Sequence, residues 1–379
     1  MSKKLKVLIL GSGFAGEGHV AAFRHAGAEV VGMVSRTKDV VEAVALKIGI
    51  PYAGTDWEQA LIDCKPDIVS LATPGGAHFE PTMSALEAGC HVYCDKPMAE
   101  SSENARLMYE KAEEKGLKTA FASCYRYMQE VLHAKRLVEN GAIGEPQEVE
   151  CISHFNLDPY IPFGWSHQAS QGGGRLNNNF THLLSIVTHV VGEKVLAISS
   201  DVRNDMVKAP VVEGVHNFME RRNYIPKDLD SPDLEWRETD VEWSYTVMAK
   251  VESSYKAARP VSVLFKHGGL QPKFGDDHLA FYGSEGAIYI KGHYGKGPLF
   301  LKKRNGDWEE IPTPADINEM VPDIEDDTLR NWAYLAEKFV KDISGEPFEP
   351  YQTFKEGYHY QKIIDVIRAS DNWIKVDPT

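Results

Sequence analysis

An apolar strand that runs directly into a glycine turn and then a helix constrains this chain more than any other feature. Lys6-Val7-Leu8-Ile9-Leu10 leads into Gly11-Ser12-Gly13-Phe14-Ala15-Gly16, and Glu17 to Ala26 continues with helix-compatible residues. Gly11 lets the backbone turn sharply off the strand. Gly13 leaves room for a pyrophosphate against the helix N-terminus, and Gly16 lets helix and strand pack closely. A second apolar run, Glu29 to Val34, follows the helix and supplies the next strand. Strand, turn, helix and strand in that order predict a dinucleotide site that includes Gly11, Gly13, Phe14, Ala15 and Gly16.

The alternation continues to about residue 125. Helical stretches are expected at 39–48, 80–88 and 102–115, and strands at 67–72, 90–94 and 118–122, which implies a parallel sheet covered on both faces. Ligands of such sheets bind at the carboxyl ends of the strands. Beyond Tyr125 a helix at 128–139 stops at Asn140-Gly141. Strand-like runs follow at 146–155, 195–202, 241–251, 260–265, 279–282, 287–290 and 299–302, joined by glycine turns such as Gly283-Ser284-Glu285-Gly286. The expected fold is therefore α/β: a doubly wound parallel sheet over residues 1–125, then a domain over 126–379 with a large open, mostly antiparallel sheet. Residues 203–238, rich in Pro, Asp and Arg, read as a long loop or insertion, and helices return at 328–342 and 354–370.

Composition narrows the partners. At 379 residues the chain has material for two domains, and its net charge of -14 repels nucleic acid and anionic membrane at long range. Cys64, Cys90, Cys94, Cys124 and Cys151 form no CxxC pair, so reduced thiols and a cytoplasmic setting are expected. The N-terminus passes from Ser2-Lys3-Lys4 straight into the first strand with no signal-like segment, and no apolar run reaches membrane-spanning length. No spacing supports a metal site.

Three further segments carry chemistry: Ala72-Thr73-Pro74-Gly75-Gly76-Ala77-His78, Gly89-Cys90-His91-Val92-Tyr93-Cys94-Asp95-Lys96-Pro97, and Gly172-Gly173-Gly174-Arg175-Leu176-Asn177-Asn178-Asn179-Phe180-Thr181-His182. With the glycine turn, their order and spacing resemble the glucose-fructose oxidoreductase, inositol dehydrogenase and rhizopine-catabolism (Gfo/Idh/MocA) family over essentially the whole chain, most clearly over residues 5–185. The resemblance implies NAD(P)-dependent oxidation or reduction of sugars, glycosides or polyols by a homodimer or homotetramer. Its relatives include glycosidases that use tightly held NAD to oxidise, eliminate and re-reduce. A cofactor-binding regulatory protein without turnover is the rival from another class.

By that resemblance Lys96 is the catalytic lysine, and Asp95-Lys96-Pro97 replaces a Glu-Lys-Pro motif with a shorter acid. Independently, an ammonium beside an oxidised nicotinamide loses pKa by like-charge repulsion and desolvation, which suits it to take a hydroxyl proton. Pro97 holds Lys96 to extended backbone angles and permits a cis bond. The family usually places Asp and His where this chain has Asn178 and His182, and another Asp where it has Ser185. If 177–189 is helical, Asn178 and His182 share a face. Asn178 can hold a hydroxyl but takes no proton, so His182 becomes the candidate base, with a buried structural histidine as the alternative. His189 reads as packing or surface. Thr73, Pro74, His78 and Asp95 are expected beside the cofactor. Arg126 is either a cofactor or substrate contact or a hinge salt bridge. Phe155, Tyr160 and Trp165, with Asn156 and His167, suit sugar recognition by stacking and hydrogen bonding, or pack a loop. Ser35 and Arg36 end the second strand with no acid before Asp39, which tips the reading toward NADP and leaves NAD open.

Overall fold

The structure is a computed structural model that describes residues 4–215, 219–272 and 275–370. Six parallel strands form the first sheet: β1 Lys6–Leu10, β2 Glu29–Val34, β3 Tyr52–Gly54, β4 Ile68–Leu71, β5 His91–Asp95 and β6 Thr119–Ala122. Their order is β3-β2-β1-β4-β5-β6, the doubly wound arrangement in which the chain reverses direction between β1 and β4. Helices α1 Phe14–His25, α2 Lys38–Ile48, α3 Trp57–Cys64, α4 Phe79–Glu87 and α5 Ser102–Lys115 connect the strands. β4 is buried along its whole length and β5 nearly so, as expected of strands covered on both faces. The expected elements over 102–115 and 118–122 appear almost residue for residue. The three-residue β3 and the short α3 carry too little periodicity to be read from the sequence, although Asp56 caps α3 by accepting from the Gln59 amide at 3.0 Å.

After α6 Gln129–Glu139 and β7 Pro146–His154, a π-helical segment Leu176–Phe180 runs into α7 Thr181–Val190. Strands β8 Lys194–Arg203, β9 Lys208–Pro210, β10 Trp236–Glu238, β11 Ser244–Glu252, β12 Val261–Gly268, β13 His278–Gly283, β14 Gly286–Lys291, β15 Leu299–Lys303 and β16 Trp308–Glu310 follow. β9 and β10 pair as a small ribbon inside the segment read as a loop. The large sheet runs β16-β15-β14-β13-β7-β12-β11-β8 and is antiparallel except where β12 lies parallel to β7. One face packs inward through Val247, Phe265, Cys151, Leu279 and Ile290, which share a row of the register. The opposite face turns outward through Met248, Leu264, Glu150, Tyr289 and Phe300, and Met248 is 56% exposed.

The chain then returns to its start. After α8 Ala315–Met320, α9 Asp327–Ser344 lies against α1, and α10 Phe354–Ala369 lies against α5. Trp332, Ala333, Leu335, Ala336 and Phe339 of α9 belong to the same buried cluster as Val7, Ile9, Val20 and Phe23. Gly18 is the contact point: a Cβ there would lie 2.2 Å from the Trp332 ring. Part of the core of the first sheet is thus supplied from within residues 126–379. No helix among the described residues is long and apolar enough to cross a membrane.

Candidate active site

The glycine turn has the geometry its spacing predicts. Gly11 has φ of 117°, and a Cβ there would sit 2.5 Å from the Ala72 carbonyl oxygen. A Cβ on Gly16 would sit 2.1 Å from the Gly11 carbonyl oxygen, so the turn and α1 touch through bare backbone. Gly13 differs: nothing lies within 4 Å of the Cβ position, which leaves open space at the N-terminus of α1. Ser12 Oγ reaches Ser35 Oγ at 2.8 Å and ties the turn to the end of β2, where Arg36 is exposed and has no ion-pair partner among the described residues. Phe14 begins α1 at 44% exposure, with Ala15 beside it, and its ring lies 5.6 Å from Trp332. Thr73 Oγ1, after β4, is buried without a partner. An open cradle at Gly13 and an orphan hydroxyl at Thr73 fit a bound dinucleotide.

His78 acts underneath this surface. It is fully buried, its Nε2 is 2.8 Å from the Thr73 carbonyl, and its Nδ1 is 3.2 Å from Cys94 Sγ. Nδ1 also lies 3.1 Å from the Pro97 carbonyl and 3.2 Å from the Met98 carbonyl, so both ring nitrogens face carbonyl acceptors, which oppose the lowering of its pKa by burial. The ring therefore straps the loop carrying Thr73 and Pro74 to the strand that ends at Lys96. Asp95 is buried behind Lys96, accepts from the Lys96 amide at 2.7 Å, and is pushed up to about 6 by burial. The Lys96-Pro97 peptide is cis.

Lys96 is half-buried, and its ammonium has neither a hydrogen bond nor an ion pair among the described residues. Burial lowers its pKa, Asp95 opposes the shift, and the Arg175 charge adds to it. Three glycines bring the second domain to it. Gly172 has φ of 72°, and a Cβ there would lie 3.1 Å from Pro97 Cγ and from the Gly75 backbone. A Cβ on Gly173 would meet three carbonyl oxygens at 2.7 Å, and one on Gly174 would strike Glu242. Side chains would force the segment carrying Arg175 to His182 away from Lys96.

The next residues form a π-helical turn, and such turns recur at functional sites. Of the three asparagines on it, Asn177 donates to the Gly173 carbonyl at 3.1 Å, and Asn179 donates to Tyr294 Oη at 2.7 Å and accepts from Ser153 and Tyr245. Asn178 alone is not fully buried, and its side-chain amide has no hydrogen-bond partner among the described residues. His182 is 8% exposed, 4.5 Å from the Tyr125 ring and 5.2 Å from that of Tyr294. Burial drives its pKa well below 6.5, with Lys96, Lys296 and Arg175 pushing the same way. Ser123 Oγ donates to the Thr181 carbonyl at 3.3 Å and is 3.4 Å from His182 Nδ1. The serine oxygen thus accepts the Nδ1 hydrogen, which leaves the Nε2 lone pair free.

The other expected residues are placed unevenly. Phe155 stands at the site, under the Arg175 guanidinium at 4.5 Å. Arg126 points to His189, with Nη2 2.6 Å from its Nδ1 one and a half helical turns or more beyond His182. Tyr160 is 40% exposed, with its ring 6.2 Å from that of Trp236 on the β9–β10 ribbon. Trp165 is half-buried in a short helical turn, next to His167, which packs between Phe163 and Trp243. Sequence reasoning missed Tyr125 and Tyr294, whose rings lie against His182, Arg175 and Lys296, whose charges reach it, and His267, which accepts from Arg175. Tyr294 has φ of 60°, an unusual angle for a bulky residue, and it stacks on Tyr125 at 4.5 Å. That angle is invisible in sequence. Among the described residues no cluster of His, Cys, Asp and Glu could hold a metal ion.

A doubly wound parallel sheet with a glycine-rich turn, followed by a large and mostly antiparallel sheet, is the fold of an NAD-binding oxidoreductase. Residues 5–123 match the model of the oxidoreductase family with the NAD-binding Rossmann fold, and residues 131–289 match the GFO/IDH/MocA C-terminal domain. The chain belongs to the Gfo/Idh/MocA family. It is 30% identical to levoglucosan dehydrogenase of Pseudarthrobacter phenanthrenivorans over 203 residues, 50% of this chain and 52% of that protein. It is 32% identical to D-glucoside 3-dehydrogenase of Escherichia coli over 196 residues, 50% of this chain and 55% of the other. The chain spans about half the length of the curated relatives it matches. The fold extends further: the apo structure of levoglucosan dehydrogenase superposes with a TM-score of 0.81 at 22% identity, covering 97% of this chain and 96% of the other. An NAD-binding oxidoreductase from Klebsiella pneumoniae gives a TM-score of 0.79 at 22% identity with the same coverage.

Proposed function

We propose that this protein is an NAD(P)-dependent oxidoreductase that moves a hydride between a nicotinamide cofactor and a secondary hydroxyl or ketone of a sugar, glycoside or polyol. The observation that carries the reading is an unpaired, half-buried lysine at the end of β5, electrostatically coupled to a buried neutral histidine, beside an open dinucleotide turn. When bound, the cofactor supplies the hydride acceptor or donor. In the direction of oxidation, the amide of Asn178 holds the substrate hydroxyl, and the free Nε2 of His182 or the lowered amine of Lys96 takes its proton as the carbonyl forms. Phe155, Tyr125 and Tyr294 supply apolar faces against which a ring stacks. Sugar dehydrogenases among the relatives, and the scyllo-inositol 2-dehydrogenase (NADP(+)) of Bacillus subtilis at 26% identity over half its length, support the substrate class and leave both cofactors in play.

Sugars, glycosides and polyols presented with each cofactor and followed at the reduced-nicotinamide band test this. Lys96→Met and His182→Ala are each expected to slow hydride transfer by roughly 10²–10⁴ with little change in cofactor affinity. A wild-type rate in both would move the chemistry elsewhere. The outward face of the large sheet, with Met248, Leu264 and Tyr289 on one row, supports assembly through that face into a dimer or tetramer. Light scattering that shows a monomer at micromolar concentration would refute the assembly.

A further inference from the structure

Arg175 is a buried cation with no ion pair among the described residues; Glu242 is the only carboxylate whose charge it feels, and that carboxylate is held elsewhere. The arginine is 6% exposed, its guanidinium lies on the Phe155 ring, and its Nε donates to His267 Nε2 at 2.9 Å. Among the described residues neither terminal nitrogen has a hydrogen-bond partner, and Nη2 is shut off from solvent. The groups beyond the Nε edge are neutral and already directed. His267 reaches Ser153 Oγ at 2.8 Å, Ser153 donates to Asn179, and Asn179 donates to Tyr294. The nearby carboxylates are engaged elsewhere. Glu242 accepts from Arg368 at 3.1 Å and from the Leu176 amide at 2.8 Å, while Asp277 accepts from the His154 amide at 3.0 Å and lies 2.8 Å from His293 Nδ1. A buried charged donor without an acceptor is expensive to keep, and a ligand that supplies the acceptor removes the cost.

The same charge reaches the reacting groups, since His182 feels Arg175, Lys96 and Lys296 together and Lys96 feels Arg175. Asn178 and Ser185 add no negative charge on this helix. With Nε taken by His267, the guanidinium offers the edge formed by Nη1 and Nη2, two parallel N–H groups that match the two oxygens of a planar carboxylate.

We propose that the substrate is a sugar acid or related hydroxy-carboxylate whose carboxylate is bound end-on by Arg175 while its hydroxyl faces Lys96, Asn178 and His182. This specifies the substrate class of the reading above and rests on it for the chemistry, though not for the binding. The test is calorimetric titration of the cofactor-loaded protein with glucuronate, galacturonate, glucose, galactose and glucose 6-phosphate, alongside absorbance at the reduced-nicotinamide band.

The uronates are expected to bind at least about tenfold more tightly than the hexoses. Arg175→Gln should weaken the uronates about 10- to 100-fold, well beyond its effect on the hexoses, and Arg175→Lys should recover part of the loss. The wild-type comparison needs no variant, and Arg175→Lys keeps the buried charge should Arg175→Gln fail to fold. Equal affinity for uronate and hexose would overturn the proposal, as would equal losses on both in Arg175→Gln, which is the signature of a packing role. An Arg175-dependent gain confined to glucose 6-phosphate would replace the carboxylate with a phosphoryl group. Arg175-dependent uronate binding without hydride transfer would keep this subsite and refute the oxidoreductase reading. Hexose oxidation without uronate preference would do the reverse.

Discussion

The turn from Gly11 to Gly16 makes its half of the cleft from backbone within one short stretch, whereas the end of the large sheet makes the other half from side chains as far apart as Ser153 and His267, 114 positions in sequence. The first half works by leaving things out. Its glycines remove side chains so that strand, turn and helix touch, and one position, Gly13, is left empty on the side a ligand would occupy. The second half works by orienting what is present, a hydrogen-bond relay that starts at the Arg175 guanidinium and runs through the neutral groups of His267, Ser153 and Asn179 to Tyr294. A site of the first kind serves any ligand with the same phosphates. A site of the second kind chooses among ligands, because each buried polar atom left unmatched is costly.

The sharpest way to break this contrast is to fill two glycines of one turn. Gly16→Val drives a side chain into the Gly11 carbonyl and is expected to destabilise the fold by about 3 kcal/mol. Gly13→Val meets no protein atom, so stability should change by no more than about 1 kcal/mol, the cost of a poor residue at a helix N-cap, while dinucleotide binding disappears. Thermal melts and calorimetry separate the two effects. Unchanged affinity in Gly13→Val would show that the open position is not the pyrophosphate site.

On the other half, Asn178→Asp places a negative charge beside Lys96 and His182. Both have lowered pKa values, and an anion favours their protonated forms. Activity that requires a deprotonated base is lost as pH falls through that base's pKa, so raising the pKa moves the acid limb of the rate profile upward, by about one pH unit. A profile that stays in place would put Asn178 out of reach of both groups. The smallest effect belongs to the rim. Arg36→Ala removes an exposed arginine at the end of β2 and is expected to weaken NADP about tenfold more than NAD. Equal losses, read from the two dissociation constants, would assign the guanidinium to adenine stacking.

The same contrast explains what the sequence disclosed. Gly11, Gly13 and Gly16 stand out because a backbone site compresses into a spacing, and Lys96 because Asp95-Lys96-Pro97 stands where the family resemblance expects a Glu-Lys-Pro motif. The three glycines before Arg175 mark a tight approach without saying to what. Arg175 itself reads as an ordinary cation, since its isolation depends on Glu242 being engaged by Arg368 and on the β-sheet register that aligns Tyr245, His267 and Ser153. Arg126 carries the right neighbours in sequence but turns to His189, a choice made by packing at the far end of α7. β9 and β10, three residues each, are too short to show a period.

The return of α9 to the first sheet sets the order in which the molecule can be finished. Val20 and Phe23 of α1, and the His19 ring, are covered by Trp332 and its neighbours, which leave the ribosome about 300 residues later. At about 5–20 residues per second, that interval is roughly a quarter of a minute to a minute. Throughout it the nascent first domain carries an open apolar face. The part that is made first is completed last, and a chaperone that shields α1 during this interval would be guarding the helix whose N-terminus receives the dinucleotide.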